Sequence, residues 1–259
     1  MDLDLKGKVF IVTGGGSGIG EAISKGALQE GAKVAILGRQ YIQDEVLLSF
    51  LQNYTEDYIF VKTELTNIAD CASAVKQVAA NFGRIDCVVN NAGRNDGIGL
   101  EHGSPEAFEQ SVNNNLTHYY SIAHYALPFL KKTQGNIINI ASKAAVTGQG
   151  NTSGYVAAKG AQLALTREWA AELIPYQIRV NAVVPAEVYT PLYDSWIKTF
   201  ANPEEKLKSI TDKIPLGKRF TTAEEIANMA MFLSSPKAAH ITGQHLFVDG
   251  GYTHLDRVI

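Results

Sequence analysis

The sequence is poor in cysteine, in net charge and in long apolar runs. Cys71 and Cys87 are the only cysteines in 259 residues, with no Cys-x-x-Cys pair and no Cys/His cluster. That excludes a disulfide framework, and neither a structural zinc site nor any other metal site is expected. Twenty-three Lys and Arg against 26 Asp and Glu leave a net charge of −3, too balanced for a nucleic-acid footprint or a polybasic membrane patch. No stretch approaches the roughly 18 consecutive apolar residues of a membrane-spanning helix. Residues 1–8 alternate charged and apolar side chains instead of placing an apolar core behind a basic start, so no secretory signal is expected there. A reducing, cytoplasmic setting is the expectation. A composition of 46% hydrophobic and 19% charged residues suits a globular chain with a sizeable core.

What is present is a rhythm. Short β-branched runs recur at residues 9–13, 33–37, 58–62, 87–90, 136–140, 179–184 and 245–248, too far apart for hairpins. Between them lie helical stretches such as Cys71, Val75, Val78 and Phe82, whose spacing puts them on one stripe. Ser104 before Pro105 reads as an N-cap, and Thr222 with Glu225 as a capping box. Because the strand runs are almost continuously apolar, they are expected to be buried on both faces. The reading is an α/β fold: a doubly wound, Rossmann-type, seven-stranded parallel sheet with helices on both faces, in a single domain over residues 1–259. Residues 190–214 break the rhythm as a helical insertion, and a substrate lid is expected there.

The first strand runs into Thr13-Gly14-Gly15-Gly16-Ser17-Gly18-Ile19-Gly20, followed by a helical stretch. A glycine-rich turn between strand and helix lets backbone approach a pyrophosphate, and the helix N-terminus offers free N–H groups. The spacing is G-x-x-x-G-x-G and not the commoner G-x-G-x-x-G. After the second strand, Gly38 and Arg39 stand where an NAD site usually carries a carboxylate. Arg39 suits the 2′-phosphate of NADP, which is favoured over NAD; otherwise it is a solvated surface arginine. Tyr155 and Lys159, four apart, share a helix face, and an ammonium beside a phenol lowers the phenol's pKa toward the range of a general base. Ser142, at the end of the fifth strand, lies at the carboxyl edge where such sheets bind ligands.

Together these residues resemble the short-chain dehydrogenase/reductase family of the single-domain type. The glycine turn, Asn90-Asn91-Ala92-Gly93 and the set Asn115, Ser142, Tyr155 and Lys159 follow its motifs in order and spacing. The resemblance implies hydride transfer between a substrate carbon and a nicotinamide. Tyr155 would be the base and Ser142 the orienting hydroxyl. Lys159 would tune the tyrosine and hold the nicotinamide ribose, and Asn115 would anchor a relay water. It further implies cofactor contacts from Gly14, Gly16, Ser17, Gly18, Ile19 and Gly20 of the turn. Glu64 and Leu65 would lie at the adenine, Asn90, Ala92 and Gly93 along the cofactor, and Val188 and Thr190 at the nicotinamide amide. Ala186 where the family has glycine, and Glu64 where it has aspartate, depart from the pattern. The family habit also implies a homotetramer.

The segments expected around the nicotinamide are polar: Asn95, Asp96 and Glu101, then Gln149, Asn151 and Ser153, then Glu187. Such a rim suits a polyhydroxylated ligand, because buried polar groups without partners are costly. A narrower resemblance, to bacterial L-fucose dehydrogenases, rests on four runs: residues 95–99, 148–155, 185–191 and 250–257. It implies oxidation of the anomeric hydroxyl of L-fucose, or of D-arabinose or L-galactose, to a lactone. The expected substrate contacts are Asn95, Ser142, Gln149, Asn151, Tyr155, Glu187 and Trp196, the last either stacking on the sugar or packing its own helix. The alternatives are a 3-oxoacyl-carrier-protein reductase or another alcohol/ketone enzyme of this fold, and a non-catalytic dinucleotide sensor. The intact Ser142, Tyr155 and Lys159 argue against the sensor. Lys143, His118 and His124 carry no assigned role.

Overall fold

The computed structural model describes residues 2–255, so Asp256 and Arg257 of the tail motif lie outside the described residues. Seven strands, β1 (Val9–Thr13), β2 (Lys33–Gly38), β3 (Tyr58–Lys62), β4 (Cys87–Asn90), β5 (Asn136–Ile140), β6 (Arg179–Pro185) and β7 (His245–Val248), form one sheet. The helices are α1 (Gly18–Gln29), α2 (Glu45–Leu51), α3 (Ile68–Phe82), α4 (Pro105–Val112), α5 (His118–Thr133), α6 (Ala144–Thr147), α7 (Ser153–Leu173), α8 (Pro191–Ile197), α9 (Pro203–Thr211) and α10 (Ala223–Ser234). Every strand pairing is parallel, in the order β3-β2-β1-β4-β5-β6-β7, so the winding reverses between β1 and β4. Ligand sites of such sheets open at that switch point, beyond the carboxyl ends of the strands.

Alternation along each strand divides the core in two. Phe10, Val12, Val34 and Ile36 pack with Ile23, Leu28, Ile226 and Met231 on one face. Val9, Ile11, Ala35 and Leu37 meet Val75, Val78, Ile122 and Trp169 on the other. Successive strand side chains point to opposite faces, and each face is roofed by helices, which is why the strands read as unbroken apolar runs. The expectation of burial on both faces fails at the margins: β3 and β7 are only partly buried, because an edge strand lacks a neighbour on one side. The caps hold. Ser104 Oγ accepts from Ala107 N at 3.2 Å, and Thr222 exchanges bonds with Glu225 in a capping box. The Arg219 guanidinium, hydrogen-bonded to Glu225, keeps that carboxyl down at about 2.

Residues 190–214 form α8 and α9, joined by a short turn, and α8 begins on Thr190, whose hydroxyl accepts from Tyr193 N at 3.3 Å. At the amino edge of the sheet a cavity of about 580 Å³ is walled in part by Asp86 and Arg179. Both are engaged structurally, Asp86 by Val9 N and Arg84 and Arg179 by the carbonyls of Leu233 and Ser235. No helix among the described residues is long and apolar enough to cross a membrane.

Candidate active site

The carboxyl edge of β1 opens into the glycine turn. Gly14 and Gly18 take φ of 65° and 57°, a left-handed conformation that side chains rarely adopt. A methyl group on Gly20 would collide with the Gly14 carbonyl oxygen and come within 2.5 Å of Asn91 Nδ2. Thr13 Oγ1 accepts from Asn91 N at 2.9 Å and Ala92 N at 3.0 Å, stitching the turn to the end of β4. Beside it runs a groove of about 280 Å³ lined by Gly14, Gly16, Ser17, Gly38 and Phe60. Ser17 caps α1 without spending its hydroxyl on the helix, and the first turn of a helix leaves N–H groups that the helix cannot satisfy. Bare backbone, an unspent hydroxyl and a helix N-terminus at one groove fit a dinucleotide pyrophosphate.

The other expected cofactor residues fall into three groups. Arg39 is exposed between Gly38 and Gln40, which both line the groove, and Ile19 packs on the core beneath the turn. Thr190 closes the far end, since a methyl on Gly18 would meet its Cβ at 3.3 Å, and Val188 is buried next to it. Gly93 lies so close to Asn115 that a methyl there would sit 2.9 Å from Asn115 Oδ1 and 3.8 Å from Lys159 Nζ. Two side chains turn elsewhere. The Asn90 amide is fully buried and donates to Asn139 Oδ1 at 3.0 Å and to the Tyr119 carbonyl. The Glu64 carboxylate accepts from the hydroxyl and N–H of Thr66 in its own turn, while Leu65 packs under α3.

Around the switch point the sheet and α7 bring together the groups expected to react. The Ser142 hydroxyl, just after β5, accepts from Ala144 N at 3.2 Å and lies near enough to the half-buried Tyr155 to lower its pKa. One helical turn on, Lys159 is 4% exposed, its Nζ donating to the Ile140 carbonyl at 2.7 Å and lying 5.6 Å from the Tyr155 ring. Asn115 sits in a π-turn, Asn113–Thr117, between α4 and α5, a kind of bulge frequent at functional sites. Its Oδ1 accepts from Arg94 N at 2.8 Å and its carbonyl from Gln162 Nε2 at 2.7 Å.

The electrostatics differ from the expectation. Burial raises the Tyr155 pKa from its ordinary value, the neighbouring Ser142 hydroxyl opposes this, and the Glu187 charge adds to it; Lys159 does not bring the phenol down. Burial also pushes the Lys159 pKa down to about 7, so about half of its charge is lost at neutral pH. Burial likewise holds His118 near 4, with the Lys159 charge helping, so it stays neutral.

Of the expected substrate residues, Glu187 reaches the centre. Its carboxylate accepts from Lys143 Nζ at 2.5 Å and from the Tyr193 hydroxyl at 3.0 Å. Asn95, Gln149 and Asn151 are exposed on the rim: Asn95 Oδ1 accepts from Gly97 N within its own turn, and Asn151, at φ 53°, packs against Gly99. Trp196 is 42% exposed and meets Tyr193 and Phe200 edge-on, so it packs against its own helix α8 and the turn that follows. Sequence reasoning missed Lys143 and Tyr193. The signal for Lys143 was its place beside Ser142, but its partner lies 44 residues away, a separation that no spacing rule connects.

A family profile described as enoyl-(acyl carrier protein) reductase matches residues 14–253 of this architecture. The chain belongs to the short-chain dehydrogenase/reductase family. It is an oxidoreductase, in a family that works with NAD(P)H. The L-fucose dehydrogenase of Bos taurus is 36% identical over 246 residues, covering 95% of this chain and 89% of that one. The structure of Cj0485 dehydrogenase superposes with a TM-score of 0.96 at 47% identity, covering 100% of this chain and 99% of the other. The aldohexose dehydrogenase of Thermoplasma acidophilum follows at 0.90 and 29%, with coverage of 100% and 99%. The 3-ketoacyl-(acyl-carrier-protein) reductase of Brucella melitensis, solved with NADH, follows at 0.84 and 32%, with coverage of 96% and 100%.

Proposed function

We propose that this short-chain dehydrogenase/reductase oxidises an aldose at its anomeric hydroxyl to the lactone, with L-fucose first and D-arabinose or L-galactose as related substrates. The observation that carries the reading is the Glu187 carboxylate, its side chain only 16% exposed, whose charge is felt at Tyr155. A buried charge at the reacting centre suits a substrate rich in hydroxyls and penalises an acyl chain or a steroid. Relatives named for L-fucose and aldohexoses support it.

The proposed roles are those the family resemblance implies. Ser142 holds the anomeric oxygen and Tyr155 takes its proton. When bound, the oxidised nicotinamide supplies the hydride acceptor and a positive ring that favours the tyrosinate. Lys159, with the Ile140 carbonyl as its anchor, passes the proton inward toward the Asn115 turn. NADP is favoured over NAD because Arg39 lies between two residues that line the groove and no carboxylate occurs from residue 37 to 43 to repel a 2′-phosphate. The α8–α9 segment acts as the lid, a cytoplasmic location agrees with two buried free thiols, and a homotetramer follows the family habit.

The test is the initial rate of NADP and NAD reduction with L-fucose, D-arabinose, L-galactose, D-glucose and a hydroxyacyl thioester. Turnover of L-fucose with NADP preferred is expected. A thioester oxidised while every sugar stays inert would replace the aldose reading with the 3-oxoacyl reductase one.

A further inference from the structure

Lys143 is the residue next to Ser142, and its own N–H donates to the Pro185 carbonyl at 2.9 Å, which pins it beside the loop that follows β6. Its side chain is 10% exposed and that of Glu187 16%, with the ammonium 3.9 Å from the centre of the Tyr252 ring. The other carboxylate oxygen holds Tyr193 at the start of the lid. An ion pair taken this far out of water stabilises a fold poorly unless further hydrogen bonds use its remaining protons and lone pairs. Among the described residues, one ammonium proton and one lone pair on each carboxylate oxygen are used, and others remain.

Resting on the aldose reading, we propose that Lys143 and Glu187 form a diol-recognition pair: the ammonium donates to one substrate hydroxyl while the carboxylate accepts from its neighbour. A vicinal diol both accepts and donates, so it completes the pair's hydrogen bonds, whereas an aliphatic surface would bury them unmet. Lys143 follows Ser142 in the chain and the Glu187 charge is felt at Tyr155, so the diol read is the one nearest the oxidised carbon. Tyr193 carries the same contact to α8, so substrate in the site and lid helix share one carboxylate.

The experiment compares L-fucose with 2-hydroxytetrahydropyran, a cyclic hemiacetal that keeps the anomeric hydroxyl and lacks the other hydroxyls. The wild type is expected to prefer L-fucose in kcat/KM by at least about 1000-fold. In Lys143→Met, and in the charge-free double variant Lys143→Met/Glu187→Gln that leaves no unpaired buried charge, that preference should fall by about 10–100-fold, mainly through the KM for L-fucose. Thermal melting confirms folding, and if Lys143→Met does not fold the double variant decides. A preference within about 3-fold of the wild type, with both rates falling together, would assign the pair a purely structural role and overturn the proposal. A wild type that oxidises L-fucose with an unmoved preference in the variants removes only this inference, whereas a wild type inert toward every aldose removes the functional reading with it.

Discussion

Lys159 is the residue whose removal should strengthen the fold while ending its chemistry. The side chain is 4% exposed and its pKa falls from 10.5 to about 7 because burial penalises the ammonium. At about 1.4 kcal/mol for each tenfold change, folding the charged form costs about 5 kcal/mol. The sign follows from proton counting. Between pH 7 and 10.5 the unfolded chain holds a proton that the folded chain has released, so this group makes the protein more stable as pH rises through that window. Lys159→Met removes the penalty and forfeits the bond to the Ile140 carbonyl, worth about 1 kcal/mol, although Tyr119 Oη still donates to that oxygen at 3.1 Å. The balance is a gain of about 2–4 kcal/mol at pH 7, or about 5–10 °C in melting temperature for a chain of this length. Scanning fluorimetry of the cofactor-free protein at pH 7 and pH 10 checks this, and the gain should shrink toward pH 10 as the wild type catches up. A variant that melts below the wild type at pH 7, or a gain equal at both pH values, would refute the reasoning. Turnover should be lost throughout, the usual exchange of stability for function at a reacting centre.

Tyr155→Phe should cut turnover at least about 100-fold while cofactor affinity, read by fluorescence titration, is retained, since only the proton-accepting oxygen is removed. Arg39→Ala should weaken NADP about 10-fold or more and NAD little, because a charge-assisted phosphate contact exists for one cofactor alone; equal effects in the same titration would place Arg39 outside the site. Gly20→Ala should lower stability by about 1–3 kcal/mol and abolish cofactor binding, because its methyl would strike the Gly14 carbonyl in a turn with no slack; unchanged melting and binding would contradict the close approach.

All seven strands were legible because each is a short apolar run and the period of a buried parallel strand needs no partner to be read. The caps at Ser104 and Thr222 were legible for the same reason: they are local. What escaped the sequence was direction. Asn90 belongs to a motif of the cofactor edge, yet its amide turns into the sheet toward Asn139, a partner contributed by β5. Gln149 and Asn151 are polar and adjacent to Tyr155 in the chain, yet they stand in solvent, because a loop residue's orientation is set by what packs behind it. The tyrosine pKa went the other way because the spacing shows that Lys159 is near, but not that burial raises the phenol and halves the lysine's charge at neutral pH. Lys143 and Glu187 meet only after the ends of β5 and β6 are side by side.

The strand order also governs how the protein is made. β1 is flanked by β2 and by β4, so once β1 to β3 have left the ribosome the free side of residues 9–13 has no partner until residues 87–90 arrive. At roughly 5–20 residues per second, synthesis of the intervening α3 segment takes a few seconds. Throughout that interval a strand that is apolar up to Thr13 exposes unpaired main-chain groups, a template for joining another nascent chain. The half of the molecule that cradles the dinucleotide is therefore its most aggregation-prone stage in translation, and slowing elongation between residues 62 and 87 should cost soluble yield more than slowing it after residue 90.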